Sequence, residues 1–340
     1  MFEKLIKCAI ISSRILRIID EKLDREVRPT LNLFIKKPFG FGFSTMAREL
    51  EKLGVANYIN DFTVAGIVGS VRLGRLYEGS LASSGYRLTV FDEVMMLERK
   101  AKKAILELTE DGSVSRDLQG FTEKEYRKDI TGGYYTVGKG KLKLRVHTSC
   151  IFGTASDAYL QDPDIRMLLS RCFCLHVGMD MEEALRLKRE GRKIDIDSKI
   201  IPEEPVDKVV LPEDVNSLIL EKMQEDARVE EIEGGYYTRC HDDMIRLSAV
   251  HCVARGDTVI SEKDAKFALQ FYPLHQLGYL GTQISTTGLK ILENCKGMST
   301  KELAEKLNLS ERTVRKHISK LLELRLLVKV GNKYYKYFDN

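Results

Sequence analysis

The sequence has no apolar run approaching the roughly 18 residues that cross a bilayer as a helix, so no membrane-spanning segment is expected. Nor does it open with the uninterrupted apolar core of a signal peptide, because Glu3, Lys4, Lys7, Arg14 and Arg17 punctuate Met1 to Leu23. That spacing predicts an amphipathic helix, and the chain reads as cytoplasmic. A secreted disulfide framework is also missing: the seven cysteines are odd in number and lack its spacing. Cys172 and Cys174, with His176 beyond, fall in the apolar run Cys-Phe-Cys-Leu-His-Val, which predicts a buried strand with thiols acting as small hydrophobes. The Cys240-His241 and His251-Cys252 pairs, if on one helix, lie roughly 16 Å apart, too far to share an ion. No metal held by cysteine is expected.

Strong net charge is absent too, at +4 over 340 residues, so its distribution matters more than its total. Ser299 to Asn340 carry ten Lys/Arg and five Asp/Glu, which leaves the remaining chain close to neutral. Positive charge gathered at one end suits a nucleic-acid-binding module.

That end has a readable pattern. Ser299 followed by Glu302 is a capping box and starts a short helix with Leu303, Ala304 and Leu307 inward. Asn308-Leu309 makes a tight connection, and Ser310 caps a second helix. Val314, Ile318, Leu321 and Leu322 share one face of it; Arg312, Arg315, Lys316 and Lys320 share the other. Gly288 to Leu292 supplies an earlier helix. Leu326–Val330 and Tyr334–Phe338 read as strands around Gly331-Asn332, a hairpin signal. Three helices and a hairpin predict a winged helix-turn-helix. Its basic face would enter the major groove, with Lys333 and Lys336 on the wing touching phosphates. A winged helix used for protein contacts is the alternative.

Further upstream, the apolar run Leu31–Ile35 ends in Lys36-Lys37-Pro38-Phe39-Gly40-Phe41-Gly42-Phe43-Ser44-Thr45. A helix follows, with Met46, Ala47, Leu50 and Leu53 inward and Gly54 as its stop. Strand, glycine loop and helix are the setting of a P-loop, though glycine turns before helices are common. Leu88 to Phe91 predict a buried strand ending in Asp92-Glu93, the arrangement in which Asp orients Mg²⁺ and Glu polarises water, or else a solvated loop.

These segments resemble the minichromosome maintenance (MCM) helicases of the AAA+ superfamily. The resemblance rests on Phe62 to Ser70, Glu78 to Leu81, the Asp92-Glu93 strand, Lys103 to Val114, Leu168 to Phe173, Thr238 to Ala249 and Ile260 to Asp264. They occur in the family's order over roughly residues 25–275. It implies an α/β AAA+ P-loop-type core over residues 1–180, a helical lid over 181–278 and the winged helix over 279–340. It implies an ATP site formed by Gly40, Gly42, Ser44 and Thr45, with Ser44 and Asp92 contacting Mg²⁺. Asp92 and Glu93 become catalytic groups, Arg171 the arginine finger and Arg239 the sensor-2 arginine.

Three departures qualify the likeness. Only a short helix is expected ahead of the P-loop, where the family has a DNA-encircling domain. Phe43 stands where the P-loop lysine belongs, and Ala155 where the sensor-1 asparagine belongs, with Thr154 and Ser156 nearby. Lys36 and Lys37 could replace the lysine only by folding back. Slow or absent hydrolysis is therefore expected. The family builds its sites between subunits, and this chain keeps both arginines that it would lend to a neighbouring AAA+ subunit, in a homo- or hetero-oligomer. Three functions follow: a structural or regulatory DNA-binding subunit in replication or processing, a DNA-stimulated ATPase or helicase with an unusual P-loop, or a transcription-factor-like protein oligomerised by its AAA+ fold. Phe121 to Lys143 occupy the place of a DNA-contacting hairpin, with Lys139, Lys141 and Lys143 alternating; a solvated hairpin is the alternative. Lys188 to Asp207, with Pro202 and Pro205, reads as a linker.

Overall fold

The computed structural model describes residues 2–72, 75–118, 125–138, 140–177, 186–187, 190, 194–196, 200–225, 234–281, 286–323 and 326–336. The chain begins with α1 (Phe2–Ser12), buried from Leu5 onward except for a half-buried Lys7. This helix is shorter than the sequence period suggests. Arg14 and Arg17 lie beyond it, because the β-branched run after Ser12 pairs elsewhere: β1 (Ile18–Asp20) lies between β2 (Arg25–Val27) and a strand from far downstream. Long-range pairing has overridden a local helical period.

Next come β3 (Leu33–Lys36), α2 (Phe43–Lys52), β4 (Ala56–Ile59), α3 (Val64–Val68) and the hairpin β5 (Gly69–Arg72) and β6 (Arg75–Glu78). They are followed by β7 (Leu88–Phe91), α4 (Arg99–Asp111), β8 (Ser113–Asp117), β9 (Tyr126–Ile130), β10 (Gly133–Gly138), β11 (Lys141–Val146), β12 (Ser149–Thr154), α5 (Pro163–Leu169) and β13 (Phe173–His176). Five of these strands form a parallel sheet in the order β13-β3-β12-β7-β4. Every residue of β7 and β12 is buried, as expected of strands covered on both faces. Leu33, Ile35, Val90 and Ile151 feed one core; Phe34, Phe91 and Phe152 feed the other, where Phe91 stacks on Phe152 at 5.2 Å. The second face also carries an antiparallel sheet, β8-β11-β10-β9. In β11 Leu142, Leu144 and Val146 point inward, while Lys141, Lys143 and Arg145 alternate outward at the period of two that a strand dictates.

The downstream helices share the first core. β14 (Val209–Leu211) runs parallel to β1, and Ile219, Met244 and Ile245 join the cluster that contains Leu5, Ile10 and Leu33. The segment assigned to a lid is thus packed into the same core as α1 and the sheet. Asp264, wholly buried, binds that region together: it closes the capping box of the helix Glu262–Leu269 and accepts from His251 of the helix Gly234–Ala254 and from Arg255 just beyond that helix. Among the described residues, no helix is long and apolar enough to cross a membrane.

The C-terminal segment has a separate core of Ile291, Leu303, Val314, Ile318, Leu321, Leu327 and Tyr334. Helices Thr286–Asn294, Thr300–Leu307 and Glu311–Glu323 precede β15 (Leu327–Val330) and β16 (Lys333–Lys336). The capping box is present: Ser299 N–H donates to Glu302 Oε2 at 2.7 Å and Ser299 Oγ accepts from Glu302 N–H at 3.3 Å. Asn308, at φ +52°, makes the left-handed connection. Phe338 lies outside the described residues.

Candidate functional site

A parallel sheet of this order brings the carboxyl ends of β3, β12 and β7 side by side, the edge at which open α/β sheets receive ligands. Lys36-Lys37, Thr154-Ala155 and Asp92-Glu93 meet there. Asp92 gathers the contacts. Its Oδ2 accepts from the Ser44 hydroxyl and, at 3.2 Å, from Tyr58 Oη, while Lys37 Nζ stands 3.2 Å from Oδ1. Burial and the Asp92 charge both push the Tyr58 phenol up. Glu93 is held just as closely: Oε1 accepts from Thr154 Oγ1 and Oε2 from the Ala155 amide at 2.9 Å. Lys36 Nζ donates to Ala155 O at 2.5 Å.

The loop entering α2 needs its glycines. Gly40 and Gly42 both take φ near +77°, a conformation that side chains with a Cβ rarely adopt. Gly42 is the N-cap and provides no side-chain acceptor, so the first amides of α2 are not satisfied by a cap. Gly40 and Thr45 are exposed and Ser44 half-buried, on the side of Asp92. Phe43 and Phe41 instead turn inward, at 2% and 3% exposure. Phe41 packs edge-on against Phe2 at 5.3 Å.

Sequence reasoning singled out Ser44, Asp92 and Glu93; Ser44 meets Asp92, while Glu93 turns to Thr154 and Ala155. Tyr58 was missed, and no spacing announces it. Lys37, which the sequence admits as a substitute for the P-loop lysine only by folding back, lies one residue beyond β3, and its side chain runs inside the site.

The two arginines come together elsewhere. Arg171 follows α5, donates to Met167 O at 2.9 Å and pairs with Glu110 at 3.3 Å. Arg239 donates to Ser170 O at 2.5 Å, so it lies beside Arg171. Among the described residues neither makes a contact with Asp92 or Glu93. Cys172 and Cys174 are buried at β13, with thiols driven upward by desolvation, and His176 is pushed down to about 4 by burial.

In the hairpin region Lys141 and Lys143 are exposed, and Arg127 lies over the Tyr134 ring at 3.9 Å. Lys139 falls outside the described residues. In the C-terminal segment Arg312, Arg315, Lys316 and Lys320 all point to solvent from Glu311–Glu323. Arg315 is paired with Glu311 and Lys320 with Glu323, at 2.7 and 2.9 Å. Arg312 and Lys316, one turn apart, have no acidic partner among the described residues. Lys333 is exposed at the start of β16, and Lys336 ends that strand.

Compared with known proteins, no curated protein matches this chain. One family does match part of it: residues 286–336 fit an HTH domain. That segment coincides with the three helices and hairpin just described, and it supports DNA as a partner of the protein.

Proposed function

We propose that this protein is a DNA-binding, MCM-related AAA+ subunit that holds Mg²⁺-ATP at the carboxyl edge of its sheet but turns it over slowly. In this reading it acts as a structural or regulatory member of an assembly in DNA replication or processing. The observation that carries it is the contact of Ser44 with Asp92 beside a left-handed glycine loop and an uncapped helix start. The residues fit the ligand. Backbone amides at a helix N-terminus suit phosphate, and Gly40, Gly42, Ser44 and Thr45 supply that end. Asp92 Oδ1 is buried with the Lys37 ammonium 3.2 Å away as its ion-pair partner, and the Ser44 hydroxyl shares the carboxylate, a hard oxygen pair of the kind that Mg²⁺ takes once that ammonium turns to a phosphate. Bound Mg²⁺ would neutralise charge on the phosphate oxygens.

Slow turnover follows from what the site residues lack or are doing. Phe43 offers no charge, Ala155 no side-chain amide, and both oxygens of Glu93 are already engaged. In this reading Arg171 and Arg239, which lie together and make no contact with Asp92 among the described residues, serve a neighbouring subunit's nucleotide. The HTH segment binds duplex DNA through Arg312, Arg315, Lys316, Lys320, Lys333 and Lys336. A second reading, a DNA-stimulated ATPase or helicase, is favoured by the presence of Lys37 in the site.

The test is equilibrium titration of the full chain with a fluorescent ATP analogue, with and without Mg²⁺. Asp92→Asn should remove most of the magnesium dependence and weaken binding by about tenfold or more, the scale of a lost charge-assisted contact. Equal affinity in both proteins would sink the assignment.

A further inference from the structure

We propose that Lys37, at the opposite end of the loop from the usual place, supplies the phosphate-reaching cation of this site. The inference rests on the nucleotide reading above and deepens it. A P-loop has the spacing Gly-x-x-x-x-Gly-Lys-Ser/Thr. Here the closing triplet is Gly42-Phe43-Ser44, so Lys37 occupies the place of the first glycine and Phe43 that of the lysine. The lysine stands at the start of the loop, and phenylalanine fills the place it vacates near the end.

Three observations carry this. First, Lys37 is anchored: its amide donates to Thr154 O at 3.0 Å, which fixes it at the end of β3 beside β12. Second, its side chain goes inward. Only 8% of the residue is exposed, and Nζ lies 3.2 Å from Asp92 Oδ1 and 5.3 Å from the centre of the Phe43 ring. A lysine at a sheet edge ordinarily extends its ammonium into water, and burying that charge costs free energy unless it is paired. Third, the route is kept open from the facing strand. A Cβ at Gly153 would lie 3.0 Å from Lys37 Cε, 3.0 Å from Phe43 Cε1 and 2.6 Å from Asp92 O. Phe43 forms the apolar floor beneath the lysine stem, and Gly153 leaves the space above it. The flexible four-carbon stem lets the ammonium exchange the Asp92 carboxylate for a phosphate oxygen.

The experiment titrates a fluorescent ATP analogue with Mg²⁺ into the full chain and its Lys37→Met and Lys37→Gln variants. The Gln variant keeps a donor toward Asp92 in case the Met variant fails to fold. Each should bind at least tenfold more weakly than the wild type, and adding Phe43→Lys to Lys37→Met should restore most of the loss. Binding equal to or tighter than wild type in the folded variants overturns the inference and leaves the nucleotide reading intact. Absence of binding by the wild type overturns both.

Discussion

Two histidines make the protein sensitive to acid. His147 Nε2 and His176 Nδ1 are buried with no hydrogen-bond partner among the described residues. Burial, with Arg28 near the first and Lys36 near the second, lowers both to about 4 from 6.5. Between those values the unfolded chain binds protons that the native protein refuses, so stability rises with pH there. The contribution is complete above about pH 6.5 and is lost as pH falls toward 4, on the order of 2–3 kcal/mol for each histidine. Urea unfolding at pH 7 and pH 4.5 should show this loss, reduced in a His147→Asn/His176→Asn protein. Equal stability at the two pH values would contradict it. At this scale the sequence was legible where chemistry sits at an element's end: Asp92 and Glu93 follow an apolar run, and Ser44 opens an amphipathic helix. Tyr58 was not legible, and Lys37 only as a substitute that would fold back, because each reaches Asp92 by the path of its side chain. That path depends on Phe43 and Gly153, which lie 6 and 116 positions away from Lys37.

Among the elements, the helix Glu311–Glu323 has the most specific consequence. Its apolar face is fixed by Val314, Ile318 and Leu321, which sets the opposite face to solvent. Arg315 and Lys320 are partly neutralised by Glu311 and Glu323, whereas Arg312 and Lys316 are unpaired among the described residues and reach the same side one turn apart. Each phosphate contact steepens the salt dependence of DNA binding by about 0.9 in log–log slope. Arg312→Ala/Lys316→Ala should therefore weaken duplex binding and flatten that slope by about 2, more than Arg315→Ala does, as read by fluorescence anisotropy over a salt series. Unchanged affinity and slope would remove this helix from the interface. The domain was legible because every signal in it is local: a capping box, a left-handed Asn308 and a glycine turn. The start of the chain was not, because Ile18 to Asp20 pair with Val209 to Leu211, and no local period reports a partner that distant.

For the whole molecule, the order of the five parallel strands and the single core joining α1, the sheet and the later helices emerge only from tertiary pairing. That arrangement leaves Ser44, Asp92 and Glu93 on one edge of the sheet and places Arg171 beside Arg239 at the end of α5. On the proposed function, the chain binds nucleotide at the first place and offers its arginines at the second. ATP turnover by the purified full chain, with and without duplex DNA, tests this most directly when wild type is compared with Glu93→Gln and Arg171→Ala. With copies of this chain as neighbours, the proposed function predicts slow, magnesium-dependent turnover that Glu93→Gln abolishes and that Arg171→Ala, by removing the group lent to the adjacent copy, lowers at least tenfold, since an arginine supplied in trans is worth about 10³–10⁵ in rate where a site is intact. Turnover that survives Glu93→Gln, or that ignores Arg171→Ala, would contradict it.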